Sequence, residues 1–137
     1  MKKIIVSAAI IARENPLSGK KEIFATERGY GDWKGWWEFP GGKIENDESP
    51  KQCVEREIFE ELDTKVNVKK FLGVVEYDYP DFHLTMHCFL CSVESGELKL
   101  LEHASSRWLD AESLRSVKWL PADEIMLERI ARECLSV

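Results

Sequence analysis

Positive charge is scarce in this chain: nineteen lysines and arginines stand against twenty-five aspartates and glutamates, a formal net charge of −6. That balance argues against a polymeric nucleic acid as partner, because polymer binding rests on Lys and Arg neutralising successive phosphates. A small anion remains admissible if a metal cation supplies the missing charge. No apolar run approaches the length needed to cross a bilayer, so a membrane partner is not expected. Lys2 and Lys3 precede an apolar stretch, but it runs into Arg13 and Glu14 with no small-residue cleavage site. The opening therefore reads as a strand of a cytoplasmic protein and not as a signal peptide. Cysteine is limited to four residues, Cys53, Cys88, Cys91 and Cys134. Cys88 and Cys91 have CxxC spacing, yet on a strand residues three apart point to opposite faces and cannot share an ion. All four read as reduced thiols packed as small apolar groups. The three histidines, His83, His87 and His103, lack zinc-ligand spacing, and the first two read as strand packing. Repeats and Gly/Pro/Ser-rich linkers are also missing, so residues 1–137 are expected to form a single domain.

What is present alternates between two periods. Residues 3–13 and 22–28 read as strands, bridged by Asn15-Pro16-Leu17-Ser18-Gly19. Residues 29–47 read as a loop dense in Gly, Trp and acids, with a short extended piece around Glu38-Phe39. Ser49-Pro50-Lys51-Gln52 then announces a helix: Ser49 caps, Pro50 suits the first turn, and Gln52 completes a capping box. Val54, Ile58 and Leu62 give that helix one apolar face. Two β-type runs follow, 65–79 and 82–94, joined at Tyr79-Pro80-Asp81, then a strand at 106–109 and a helix over 122–134. The fold class is α/β, with mixed strands and two main helices.

The chemistry concentrates on the first helix. Glu57, Glu60 and Glu61 fall at i, i+3 and i+4, so three carboxylates crowd one side. A bare cluster of this kind reads equally as a solvated acidic face, with Arg56 pairing to Glu60. Gly41 and Gly42 one loop earlier change that balance, since paired glycines let backbone oxygen or nitrogen approach a ligand closely. Glu45, Asp47 and Glu48 add further acids. Carboxylates facing a glycine carbonyl suit a hard divalent cation, which could join a negative protein to a phosphate chain.

Gly42, Glu48 and Arg56-Glu57-Ile58-Phe59-Glu60-Glu61 reproduce the spacing G-x5-E-x7-R-E-U-x-E-E of the Nudix box, where U is a bulky apolar residue. With the lead-in Trp37-Glu38-Phe39-Pro40-Gly41-Gly42-Lys43-Ile44-Glu45, the chain resembles the MutT-like branch of the Nudix hydrolases, which includes 8-oxo-dGTP diphosphatases and CTP pyrophosphohydrolases. The resemblance implies a Nudix fold, a mixed β-sheet sandwiched between helices. It implies hydrolysis of a nucleoside triphosphate to a monophosphate and pyrophosphate, with Mg²⁺ as cofactor and Mn²⁺ as possible substitute. Glu57, Glu60, Glu61 and the Gly41 carbonyl correspond to metal ligands, and Glu102 to a loop carboxylate serving the metals or the attacking water. Glu57 or Glu60 would take the water's proton. Glu48 and Arg56 correspond to an internal salt bridge. Arg28, and more weakly Lys43, correspond to phosphate-binding cations. Two positions depart from the box: Asp63 stands for its last glycine and Thr64 for an apolar residue. Asp tolerates the left-handed conformation that a helix-ending glycine supplies, so a local cost of order 1 kcal/mol is expected and not lost catalysis.

The substrate implied is a small nucleotide, handled by a monomer or homodimer. Asp123 stands where MutT-like enzymes carry a base-reading polar residue, Asn in the 8-oxo-dGTP enzyme. An ionised Asp only accepts hydrogen bonds, which suits the exocyclic amine of cytosine; a protonated one would suit the guanine carbonyl. Its plainer reading is a helix cap. Phe39 and Tyr79 read as base-stacking aromatics or as core, Trp33 and Trp36 as residues bordering the pocket, and Phe82 replaces an arginine of the guanine-sanitising enzyme. Other Nudix substrates and a non-catalytic Nudix binding module are the rival readings; the module is disfavoured because no box carboxylate is missing.

Overall fold

The computed structural model describes residues 1–136. Its elements are β1 (Lys2–Glu14), β2 (Lys21–Glu27), β3 (Trp37–Glu38), β4 (Gly41–Lys43), α1 (Pro50–Leu62), β5 (Lys65–Asp78), β6 (Phe82–Ser95), β7 (Ser105–Leu109), α2 (Pro121–Ile125) and α3 (Leu127–Glu133). Strand β1 is the spine. Lys2 to Ile11 pair in parallel with Phe82 to Cys91 of β6, Val6 to Ala8 pair with β4, and Ala12 to Glu14 turn to pair with β2. The buried run Ser7 to Ile11 explains this placement, because a strand covered on both faces cannot alternate polar and apolar residues. Strands β5 and β6 form the long antiparallel ribbon, and β7 closes on β2. Mixed strand directions and covering helices match the expected fold.

Each sheet face has its own core. Ala8, Ile10 and Cys88 pack with Met126, Leu127 and Ile130 on one side. Ala9, Ile11, Phe89 and Cys91 pack with Val54, Ile58 and Leu62 of α1 on the other. Cys88 and Cys91 thus lie in different cores, and all four thiols are free and buried. Ser49 caps α1: its hydroxyl accepts the Gln52 N–H at 3.1 Å and its own N–H donates to Gln52 Oε1 at 2.9 Å. Emptying one site such as Ile58 to alanine costs about 2–5 kcal/mol, against a few tenths for each like-charge pair on the opposite side. Packing therefore decides which face of α1 looks inward; Glu60 is left exposed and Glu57 half-buried, while Glu61 is drawn in beside Leu62.

Three sequence expectations need correction. The C-terminal helix is broken at Met126, whose N–H turns back to the Asp123 carbonyl at 3.1 Å, a tightened turn that buries Met126 and Leu127. Ile125, one of the apolar positions of the 122–134 pattern, is 53% exposed as a result. His83 is not strand packing: its Nδ1 lies 2.6 Å from Asp78 Oδ1 and its Nε2 3.4 Å from Glu76 Oε1, which raises its pKa. Within the long loop a second short strand, β4, forms against β1. Among the described residues no helix is long and apolar enough to cross a membrane.

Candidate active site

The Gly-Gly turn and α1 meet as closely as backbone and side chain can. A Cβ on Gly41 would stand 2.0 Å from the Ser7 carbonyl oxygen, and one on Gly42 would stand 2.3 Å from the Glu57 carboxyl carbon. Only glycines let β4 pair with β1 while Glu57 lies over the turn. Arg56 ties the arrangement together. Its Nε reaches Glu48 Oε2 at 2.6 Å, its Nη2 donates to the Lys43 carbonyl at 3.1 Å, and its Nη1 lies 2.9 Å from Glu57 Oε1 and 3.1 Å from Glu60 Oε2. The bonds to Arg56 pull the Glu48 carboxyl down to about 2. Arg56 therefore does more than the expected bridge to Glu48: it also spaces two of the helix carboxylates.

Glu61 points the other way, into a small cavity of about 110 Å³ shared with Arg28, Glu38, Gly41, Glu102 and His103. Its Oε2 is buried without a hydrogen-bond partner. Burial first, then the charge of Glu57 and a hydrogen bond with it, then the charges of Glu102 and Glu38, push its carboxyl up to about 9. Arg28 Nη1 pairs with Glu38 Oε1 at 3.1 Å while its Nε is buried and unpartnered. His103 Nε2 sits 3.8 Å from Glu38 and 3.9 Å from Glu61. Burial and Arg28 both lower the pKa of His103.

Among the described residues no three acidic, His or Cys side chains converge on one point with metal-binding geometry. The donor set nonetheless suits a hard divalent cation: an orphaned Glu61 oxygen, crowded carboxylates that resist ionising together, and a glycine carbonyl beside them. Glu61, Glu102 and Gly41 share one cavity, Glu57 lies against Gly42 and close enough to Glu61 to raise its pKa, and Glu60 is largely exposed and joined to the group through Arg56.

A cleft of about 480 Å³ opens beside that cavity, sharing Arg28, Glu38 and Gly41 with it. Lys43 stands at its lining, and Asp123 lies in it, 4% exposed. Asp123 Oδ2 accepts the Phe39 N–H at 2.9 Å. Burial, then the charge of Glu38, push its carboxyl up to about 8. Asp123 is not the cap of α2, since Leu120 holds that position. Phe39 and Tyr79 both line the cleft and both are buried, so stacking surface and core packing are the same residues. Tyr79 lies 5.0 Å from the Phe82 ring, nearly parallel, and its hydroxyl oxygen accepts the Ala122 N–H at 3.1 Å. Trp33 borders the cleft as expected; Trp36 is not among its lining residues.

Two contributors escaped the sequence reading. Glu38 is placed by β3 pairing with β2, where Thr26 opposes Glu38 two residues before Arg28. The sequence carries no signal for that pairing. His103 was signalled only by its adjacency to Glu102.

Residues 3–135 match the family described as the NUDIX domain. The chain belongs to the Nudix family. This Nudix hydrolase is 33% identical over 133 residues to the 8-oxo-dGTP diphosphatase of Escherichia coli (strain K12), covering 96% of this chain and 99% of that one. It is also 33% identical over 128 residues to the CTP pyrophosphohydrolase of the same organism, covering 93% and 91%. Its fold superimposes on the crystal structure of a MutT Nudix hydrolase from Burkholderia pseudomallei with a TM-score of 0.79, at 26% identity, over 95% of this chain and 99% of that one. The chain is a Nudix pyrophosphohydrolase.

Proposed function

We propose that this enzyme hydrolyses a nucleoside triphosphate to a nucleoside monophosphate and pyrophosphate, that it requires Mg²⁺ or Mn²⁺, and that it prefers a cytosine nucleotide: CTP, dCTP or 5-methyl-dCTP. The observation that carries the base assignment is Asp123, a carboxyl buried in a base-sized cleft with Oδ2 engaged by the Phe39 N–H. Its remaining acceptor capacity suits the exocyclic amine of cytosine. Phe39 and Tyr79 offer the apolar surface for the ring. Arg28 and Lys43, which line the same cleft, would hold the phosphates. Glu57, Glu60, Glu61, Glu102 and the Gly41 carbonyl would hold the cation, which when bound neutralises phosphate charge and makes water more acidic. Water adds its oxygen to the β-phosphorus and the α–β bridging bond breaks, so the nucleotide leaves as monophosphate. Glu57 or Glu60 takes the proton.

One observation favours a second reading, 8-oxo-dGTP. A carboxyl pushed up to about 8 keeps its proton at neutral pH and would donate to the guanine carbonyl. The test is product analysis with Mg²⁺ over the common NTPs and dNTPs, 5-methyl-dCTP and 8-oxo-dGTP, with Glu57→Gln and Glu60→Gln as controls. Pyrophosphate and monophosphate that vanish in the controls support the reaction, and the fastest substrate decides the base. No turnover of any triphosphate would overturn the assignment.

A further inference from the structure

The two positions that depart from the Nudix box both face the loop that carries Glu102. Asp63 ends α1 in the left-handed conformation, φ 50°, with its carboxylate 3.4 Å from Lys99 Nζ. Thr64 is fully buried, and its hydroxyl lies 2.8 Å from the Leu62 carbonyl of the helix and 2.8 Å from the Glu97 carbonyl of the loop. Backbone bonds extend this seam: the Lys99 N–H donates to Leu62 O at 2.9 Å and the Leu101 N–H to Glu61 O at 3.3 Å. Gly96, at φ 92°, lets the chain turn against the helix end, where a Cβ would stand 2.9 Å from Asp63 O. At its far side the loop is fastened again, by the Ala104 N–H to Glu27 O at 3.0 Å and the Ser105 hydroxyl to Glu27 Oε1 at 2.8 Å. Between Leu101 and Ala104 lie just Glu102 and His103, both lining the cavity that holds Glu61.

We infer that Thr64, with Asp63, is a positioning residue: it ties the Glu97–Leu101 segment to the C-terminal end of α1, so that Glu102 and His103 are held against the carboxylates of the same helix. An apolar residue at position 64 packs but offers the Glu97 carbonyl no partner. The loop carboxylate and the helix carboxylates then move as one unit, because the last carbonyls of α1 are spent on the loop and not on water. The inference rests on Glu102 acting at the site.

The test is a double-mutant cycle on whichever triphosphate turns over fastest, with kcat and KM for wild type, Thr64→Val, Thr64→Ser, Glu102→Gln and Thr64→Val/Glu102→Gln. Thr64→Val should lower kcat roughly three- to tenfold, the worth of one net hydrogen bond, with KM little changed. Thr64→Ser, which keeps the hydroxyl, should restore it. In the Glu102→Gln background Thr64→Val should cost nothing further. Wild-type activity in Thr64→Val, or equal losses in both backgrounds, would overturn the inference while leaving the role of Glu102 intact. An unimpaired Glu102→Gln would remove that role and the inference with it. If Thr64→Val does not fold, Lys99→Met, an exposed change on the same seam, is put through the same cycle: a loss confined to the Glu102 background supports the inference, and none overturns it.

Discussion

The sharpest consequence of the cleft is that base preference should depend on pH through Asp123. Its carboxyl is buried against the Phe39 N–H and pushed up to about 8. At about pH 7 some ten molecules in eleven carry the proton, and at about pH 9 about one in eleven does. A cytosine amine needs the ionised form, so its kcat/KM should rise about tenfold across that interval; a guanine carbonyl needs the protonated form, and its kcat/KM should fall about as much. The carboxylates around Glu61 serve the phosphates of either substrate, so their titration cancels in the ratio, and ionisation of the guanine ring itself is common to wild type and Asp123→Asn. The quantity to measure is therefore kcat/KM for dCTP divided by kcat/KM for 8-oxo-dGTP, at half-unit steps with Mg²⁺ held saturating. The ratio should climb about a hundredfold more in wild type than in Asp123→Asn, which cannot titrate. The same change in Asp123→Asn as in wild type would refute the claim that Asp123 reads the base by its charge state.

Four further perturbations follow from the same geometry. Glu61 has a folded pKa raised from 4.5 to about 9, so without metal its contribution to stability declines as pH rises between those values. Glu61→Gln should then raise the thermal midpoint in a chelator at about pH 8 yet gain less from Mg²⁺ than wild type, for which a concentration of about a hundred Kd adds about 2.7 kcal/mol; a midpoint lowered in chelator would contradict the orphaned-oxygen argument. The chelator itself should abolish pyrophosphate release, and Mg²⁺ or Mn²⁺ should restore it. Glu48 is the opposite case: held down to about 2 by Arg56, it stabilises the fold above 4.5 and ceases to as pH falls toward 2. Urea denaturation across that acid range should show a shallower loss for Glu48→Gln. Asp63→Gly, at φ 50°, should relieve left-handed strain and raise stability by up to about 1 kcal/mol, less whatever the exposed Lys99 pair contributes.

What was legible in the sequence was local. The capping box at Ser49 and Gln52 and the apolar period Val54, Ile58, Leu62 fix where α1 begins and which face it buries, and the carboxylates follow from counting residues along it. The left-handed end at Asp63 was legible through the resemblance, since Asp stands where the box has its helix-ending glycine and tolerates that conformation. The convergence of Arg28, Glu38 and His103 on Glu61 was not legible, because it depends on β3 pairing with β2 and on a loop returning across the end of α1. No period or spacing in the chain encodes which strands meet. The break at Met126 was hidden similarly: residues 122–134 carry a helical pattern, and only the tightened turn from Met126 to Asp123 decides that Ile125 faces water.

That division bears on how the site can vary. The helix carboxylates come as a set, specified by one segment, whereas Glu102 and His103 on one loop and Asp123 on α2 arrive through contacts that other residues make. A substitution at Thr64 or Tyr79 can therefore change what reaches the cavity or the cleft without touching a carboxylate, because Thr64 holds the Glu97 carbonyl and Tyr79 holds the Ala122 N–H beside Asp123. Tyr79→Phe removes only that hydroxyl, leaving the ring that packs on Phe82. It frees the N–H one residue before Asp123, so it should blunt discrimination between dCTP and 8-oxo-dGTP by roughly three- to tenfold, about one net hydrogen bond, while kcat on the better substrate falls less. Equal losses on both substrates would mean that Tyr79 serves the core and not the orientation of Asp123.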